Sequence, residues 1–180
     1  MTKRQMLGRA ERACAAWNQG DADGVVAEVA DDVIWRDAGL GPPLQGREAL
    51  RAATQAYMTA FPDLRVTISS HTIDGPRLAY EWVSTGTHQG VLMGLAPTGR
   101  WIENYGATVT TCDEDGVVIE GSSYWNPLAM FRQLGLEAAP AGTAATAINP
   151  ISSTVATSAR AARAEQSGGA STRSDSPAAT

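Results

Sequence analysis

The chain has 180 residues, enough for one ordinary domain with some excess. Its 43% hydrophobic and 18% charged residues suit a globular protein, while a net charge of -5 and no lysine after Lys3 exclude the basic footprint of a nucleic-acid binder. Two cysteines, Cys14 and Cys112, and two histidines are too few for a metal cluster or a disulfide framework, so a reducing cytoplasm is the simplest compartment.

Charges at Lys3, Arg4, Arg9, Glu11 and Arg12 interrupt the apolar stretch that a signal peptide would need. Nowhere do about 18 apolar residues run together, as a membrane helix requires, so a soluble protein without a membrane partner is expected. Met6, Ala10, Ala13, Cys14 and Trp17 recur at helical spacing, and Asn18-Gln19-Gly20-Asp21 ends that first helix. Asp21 or Asp23 caps a second, shorter helix with Val25, Val26 and Val29 on its buried side, and Val33 to Asp37 has strand character. A third helix starts near Gly46, shows Leu50, Thr54, Tyr57, Met58 and Phe61 on one stripe, and is stopped by Pro62.

Strand material follows from Leu64 to Ile73 and from Leu78 to Gln89, with the Asp74-Gly75 turn signal between them. After a loop from Gly90 to Gly99 come strands from Arg100 to Cys112 and from Val117 to Trp125, joined by the turn Asp113 to Gly116. Asn126-Pro127 opens a short closing helix that Gly135 ends. The order ααβαββββα predicts an α+β fold, a strongly curved antiparallel sheet wrapped by three to four helices as a cone-shaped barrel around a small-molecule cavity. From residue 138 to residue 180 the chain is rich in Ala, Ser and Thr and has no aromatic residue, so a disordered tail is expected behind a domain of residues 1–137.

Gly94 to Gly99 has the glycine spacing of a phosphate loop but lacks the Lys-Ser/Thr pair and precedes a strand, which rules out nucleotide binding of that kind. Neither serine nor cysteine chemistry has its motif. On the parity of an unbroken strand His88 shares a face with Tyr80, Trp82, Ser84 and Gly86, where an imidazole could move protons or could bond structurally to the following loop. Asp37 ends its strand beside Arg36: facing an apolar cavity, its carboxyl would have a raised pKa suited to taking a proton from carbon, and facing outward it would pair with Arg36 or cap a turn. Glu81 or Glu103 would compete as base if either points inward, and Asn126 reads as a helix cap whose amide can still face a pocket.

Five stretches carry a resemblance over nearly the whole core: Trp17-Asn18-Gln19-Gly20-Asp21, Ala60-Phe61-Pro62-Asp63-Leu64, Gly86-Thr87-His88-Gln89-Gly90, Pro97-Thr98-Gly99-Arg100, and Tyr124-Trp125-Asn126 leading to Gln133-Leu134-Gly135. In this order they resemble the SnoaL-like polyketide cyclase and ester cyclase family, within the nuclear-transport-factor-two-like superfamily. The resemblance implies a homodimer formed through the sheet, a deep hydrophobic pocket for a polyketide-like small molecule, and no cofactor. In the cyclases of that family an acidic pocket residue is the general acid/base of an intramolecular aldol condensation, a step of secondary metabolism. Asp is usual there where Asn126 stands, and His is frequent where Arg36 stands. The role then passes to other groups here: Asp37 as base, His88 as its acid partner, and Asn126 stabilising the enolate oxygen. The expected lining is Trp17, Trp35, Arg36, Tyr57, Phe61, Trp82, Glu103, Tyr105 and Tyr124. The same fold also allows an epoxide hydrolase, an isomerase, a hydroxylase or a non-catalytic small-molecule-binding module, and an inward Arg36 and Asp37 pair would favour epoxide opening.

Overall fold

The computed structural model describes residues 2–39 and 41–136; the tail expected over residues 138–180, with its boundary at 137, lies outside the described residues. Helix α1, Lys3–Gln19, opens with a capping box between Thr2 and Gln5 and ends at Gly20, whose φ of 72° only glycine adopts freely. Asp21 caps α2, Ala22–Val26, by accepting the Gly24 N–H at 2.9 Å. Strand β1 is Val29–Asp37, followed by a two-residue strand β2, Leu44–Gln45, and by α3, Arg47–Ala60. Then come β3, Arg65–Asp74, β4, Arg77–Thr87, β5, Trp101–Cys112, β6, Val118–Trp125, and α4, Pro127–Gln133.

The fold is mixed α+β, a curved six-stranded sheet that does not close, in the order β2-β1-β6-β5-β4-β3. Two expectations need correction. The sheet is not wholly antiparallel, because β1 pairs with β6 in parallel, Trp35 opposite Gly121 and Asp37 opposite Ser123. A parallel pair needs a long crossover, which everything from β2 to β5 supplies here, and a reading of successive hairpins misses it. Strand β1 also starts four residues earlier than its apolar run, at Val29, because exposed Asp31 and Asp32 hide an irregular first half whose register shifts before Ile34.

Side chains from two of the recognisable stretches tie the elements together. The Asn18 carboxamide donates to the Val66 carbonyl at 2.9 Å and accepts its N–H at 2.6 Å, standing in for a missing neighbour along edge strand β3. Asp63 accepts both the Thr87 N–H and the Thr87 hydroxyl at 2.7 Å, which fixes where β4 ends.

Three apolar clusters surround the concave side of the sheet. Phe61, Leu64, Leu92, Ile102, Phe131 and Leu134 seal the end beneath α3 and α4. Val26, Val29, Val33 and Leu50 join α2, β1 and α3, while Met6, Leu78 and Cys112 close the end under the start of α1. Between them the concave face holds three tryptophans lying against glycines. A methyl at Gly39, Gly106 or Gly121 would overlap the ring of Trp125, Trp82 or Trp35 respectively, so these glycines let large rings lie flat and leave space above them.

Candidate functional site

That space is a cavity of about 210 Å³, walled by the inner face of α1, by α3 and by the inward residues of β1 and β3 to β6. Residues alternate along a strand, so one element supplies both wall and outer surface. On β5, Ile102, Asn104, Thr108, Thr110 and Cys112 are buried, while Trp101 and Tyr105 are exposed. On β1, Trp35 and Asp37 line the cavity and Arg36 does not.

The lining is mainly apolar; apart from the Arg9–Glu28 ion pair at 2.9 Å, most of its polar groups fall into two sets. In the middle, the Trp82 Nε1–H donates to Thr108 Oγ1 at 3.0 Å, and Thr108 shares a hydrogen bond with Ser123 at 3.1 Å, so these groups satisfy one another. Tyr80 beside them is pushed up to about 12, by burial against the opposing influence of its Thr108 bond. The Cys14 thiol donates to the Val66 carbonyl at 3.0 Å, and burial pushes both Cys14 and Cys112 up, so both stay as thiols at neutral pH.

The second set surrounds Asp37 at the end of β1. Its Oδ1 accepts the Trp125 Nε1–H at 2.7 Å and the Gly39 N–H at 2.8 Å. Burial pushes its pKa up, and these two donors, which stabilise the carboxylate, oppose the shift without cancelling it. Among the described residues no arginine, lysine or histidine forms an ion pair with it. Trp125 meets Tyr57 edge to face at 6.4 Å, and the Tyr57 hydroxyl is buried without a hydrogen-bond partner. A carboxyl with a raised pKa, held by two fixed donors beside an apolar space, can take a proton from a bound carbon acid and return it elsewhere.

Of the expected site residues, Asp37, Trp17, Trp35, Tyr57 and Trp82 line the cavity. The others stand elsewhere, each for a local reason. Arg36 pairs with Glu120 on the outer face, opposite its neighbour in the alternation, so the inward Arg36 and Asp37 pair of an epoxide-opening site is not formed. Glu103 and Tyr105 share the outer face of β5, where the Glu103 carboxylate pushes the exposed Tyr105 phenol up. Tyr124, 59% exposed, is outward between the inward residues Ser123 and Trp125. Phe61 is core, not lining, one turn beyond Tyr57 where α3 ends.

His88 is fully buried, but it too stands outside the cavity. Strand β4 stops at Thr87, short of the expected Gln89, and at the level of Gly86 the end of α3 closes in, with Phe61 and Leu64 against that glycine. The His88 ring lies 5.3 Å from Phe61, and its Nδ1 accepts the Thr98 N–H at 3.2 Å. Burial pushes the imidazole down, against a smaller opposing influence of the Gly90 backbone, so it is neutral. Asn126 is the cap of α4, its Oδ1 accepting the Ala129 N–H at 3.1 Å, and it does not line the cavity.

The sequence reading missed Asn104, whose buried side chain lines the cavity opposite Ser84. Cross-strand partners share a face, so aligning Trp82 with Gly106 and Ser84 with Asn104 would have placed it inward. Among the described residues no group of three or more His, Cys, Asp or Glu is arranged to hold a metal ion, and no helix is long and apolar enough to cross a membrane.

No curated protein matches the chain at significant similarity. Among solved structures it is similar to AclR from Streptomyces galilaeus, described as a candidate hydroxylase, at 23% identity and a TM-score of 0.66, over 74% of this chain and 98% of that one. It is also similar to IdmH from Streptomyces antibioticus, a candidate polyketide cyclase, at 26% identity and a TM-score of 0.63, over 73% and 99%. TsrD from Streptomyces laurentii shares the fold at 21% identity and a TM-score of 0.66, over 75% and 98%. The sequence model of SnoaL-like polyketide cyclases matches residues 9–134, a span from α1 into the start of the residues after α4. With the open curved sheet and the cavity it encloses, that match settles the family: the chain belongs to the SnoaL-like polyketide cyclases.

Proposed function

We propose that the protein is an acid/base enzyme that closes a ring of a polyketide ester by an aldol-type step, with Asp37 as the base. The observation that carries this reading is the Asp37 carboxyl itself, raised by burial, unpaired with any cation among the described residues, and facing an apolar cavity walled by Trp17, Trp35, Trp82 and Trp125. Flat conjugated rings fit such walls, since aromatic surfaces stack well in water-poor space. Asp37 takes a proton from the carbon beside a carbonyl. The resulting enolate carbon attacks a second carbonyl of the same molecule, forming a carbon–carbon bond, and the new alkoxide takes the proton back. Mass is unchanged and no electrons leave the substrate, so the chemistry asks for no redox group.

His88 has no part in this scheme, being neutral and closed off behind Phe61, and Asn126 is occupied as a helix cap. Two free thiols, Cys14 and Cys112, suit a reducing cytoplasm. The outer face of the sheet supports a homodimer, since Trp101, Tyr105 and Tyr124 are each more than half exposed there, on neighbouring strands.

The test is mass spectrometry of the purified protein incubated with a panel of polyketide methyl esters, with Asp37→Asn as control. A product of unchanged mass that the control does not form is the expected result. Products gaining water or oxygen would overturn ring closure in favour of hydration or hydroxylation, and saturable binding without any product would favour a ligand-binding module.

A further inference from the structure

Among the described residues, two cavity-lining side chains have a buried oxygen without a hydrogen bond: Glu28, whose Oε2 is held in its ion pair with Arg9 at 2.9 Å, and Tyr57, whose hydroxyl has no such partner. Tyr57 stands on α3, one turn before its end, with its ring stacked at 6.3 Å on Phe61 and edge-on to Trp125 at 6.4 Å. Those two contacts fix the ring, because both neighbours are themselves held, Phe61 in the core and Trp125 by its bond to Asp37. Its Oη is buried and has no hydrogen-bond partner. Folded chains pair nearly all such groups, so an orphan of this kind calls for an explanation. The Thr108 and Ser123 hydroxyls of the cavity give no parallel, since they and the Trp82 N–H satisfy one another.

Burial and one neighbouring charge bear on what Tyr57 does. Burial, and after it the negative charge of Asp37, push the phenol far up, so it keeps its proton at any physiological pH. Trp125, which meets the Tyr57 ring edge-on and donates to Asp37, joins the two, although the Tyr57 hydroxyl and the carboxylate form no hydrogen bond with each other. A neutral donor held near a base, but not consumed by it, is available to a third group bound between them.

We propose that Tyr57 is a catalytic hydrogen-bond donor that stabilises the oxygen of the enolate formed when Asp37 removes a proton from the substrate. This assignment rests on Asp37 being the base. The α-proton passes from carbon to the Asp37 carboxylate, the C–H electron pair moves into the carbon–carbon bond, and the carbonyl pair moves onto oxygen. That oxygen, now negative, accepts the Tyr57 O–H without taking its proton, and the bond weakens again when the carbonyl re-forms. The hydrogen bond is strongest when the oxygen is charged, so it favours the transition state over the bound ester.

The experiment uses 2-naphthol as a stand-in for an enol whose ionised form is read directly by its near-ultraviolet absorption, and 2-methoxynaphthalene as a control that cannot ionise. Both are titrated into the full chain carrying Asp37→Asn, which removes the competing negative charge, and into Asp37→Asn/Tyr57→Phe. The expected result is that bound naphthol ionises at lower pH than free naphthol, and that Tyr57→Phe moves the midpoint back up by about one pH unit, about tenfold in equilibrium. Affinity for the methoxy compound should stay within about twofold, which excludes misfolding as the cause, since Tyr57→Phe deletes one oxygen from a ring that keeps its packing. A midpoint unmoved by Tyr57→Phe would overturn the donor role while leaving Asp37 as base. Failure of both naphthalenes to bind would overturn the reading of the cavity as a site for flat rings, and the donor role with it. Turnover retained by Asp37→Asn would remove the base alone and show up in the activity assay, apart from the naphthol midpoint.

Discussion

Asp37 is half-buried and His88 fully buried, and in both burial favours the uncharged form. They differ in what lies beside them. Asp37 borders a cavity and is met by two donors, with a third donor, Tyr57, unengaged nearby. His88 is enclosed by Phe61 and joined through Nδ1 to Thr98, while its backbone bonds to Gly99 and Arg100 tie down both ends of the segment between them. A shifted titratable group is thus not by itself a site: the His88 Nε2 is also buried without a partner, so it is the open space next to Asp37 that separates the two.

The largest expected effect comes from removing the base. Asp37→Asn should lower kcat/KM by about 10²- to 10⁴-fold, the usual contribution of a general base. The same variant should melt a few degrees higher at pH 7, because it deletes a buried charge while its amide oxygen can still accept from Trp125 and Gly39. Since folding raises the Asp37 pKa, the charge penalty builds up from the ordinary carboxylate value and is complete above the raised one. The gain should therefore shrink as the pH is lowered toward the ordinary carboxylate range, as a pair of melting curves at two pH values will show.

Gly39→Ala attacks the same corner indirectly. Its methyl would overlap the Trp125 ring, which must then move off Asp37, and Gly39 is itself the second donor. A stability loss of about 1–3 kcal/mol in urea unfolding is expected, with a fall in kcat/KM and little change in the outer face. A variant of unchanged activity would mean that Trp125 need not be seated against Gly39 for Asp37 to work.

The elements were more legible than the site. Pro62, Asp74-Gly75 and Asn126-Pro127 act locally, through a missing N–H, a positive φ or a capping oxygen, and each terminates or starts an element where the chain pattern says it should. Facing is a different matter. On β5 both sets of alternating residues contain aromatics or aliphatics, Trp101, Tyr105 and Val109 on one side and Ile102 and Cys112 on the other. Hydrophobicity therefore could not say that Asn104 is inside and Glu103 and Tyr105 outside, since the outer face of this sheet is itself apolar. The parity reading of β4 put Tyr80, Trp82 and Ser84 on one face with His88, and the first three do line the cavity, but nothing local told that α3 closes the space before His88. That closure is made by Phe61 and Leu64, which are distant in sequence from the strand they seal.

His88 offers a sharper contrast in stability than in activity. His88→Leu should leave kcat/KM within about twofold yet cost about 1–3 kcal/mol, because the Thr98 N–H loses its acceptor. The sign with pH follows from the lowered imidazole pKa. Below its unfolded value near 6.5 the unfolded chain binds a proton that the folded one refuses, so the native protein loses stability as pH falls through that range toward the folded value. The leucine variant should lack this part of the decline in melting temperature between pH 7.5 and pH 5.5, about two units. An identical slope in both proteins would mean that the buried imidazole does not titrate on unfolding in that window.

The smallest effect is expected one residue from the largest. Arg36 precedes Asp37, but it is half-exposed and its guanidinium pairs with Glu120, also half-exposed, on the face turned away from the cavity. Exposed pairs of this kind contribute little, since solvent screens them and two long side chains must be ordered to form them. Arg36→Ala should therefore change stability by about 0.5 kcal/mol or less and leave kcat/KM and its acid limb where they are. A fall in turnover comparable to that of Asp37→Asn would put the guanidinium at the reacting atoms, and strand alternation would then no longer divide the working face of β1 from the outer one. If the acid limb moved up with turnover otherwise intact, the positive charge would be acting on Asp37 through the strand, which is the one route by which an outward side chain next to the base could still tune it.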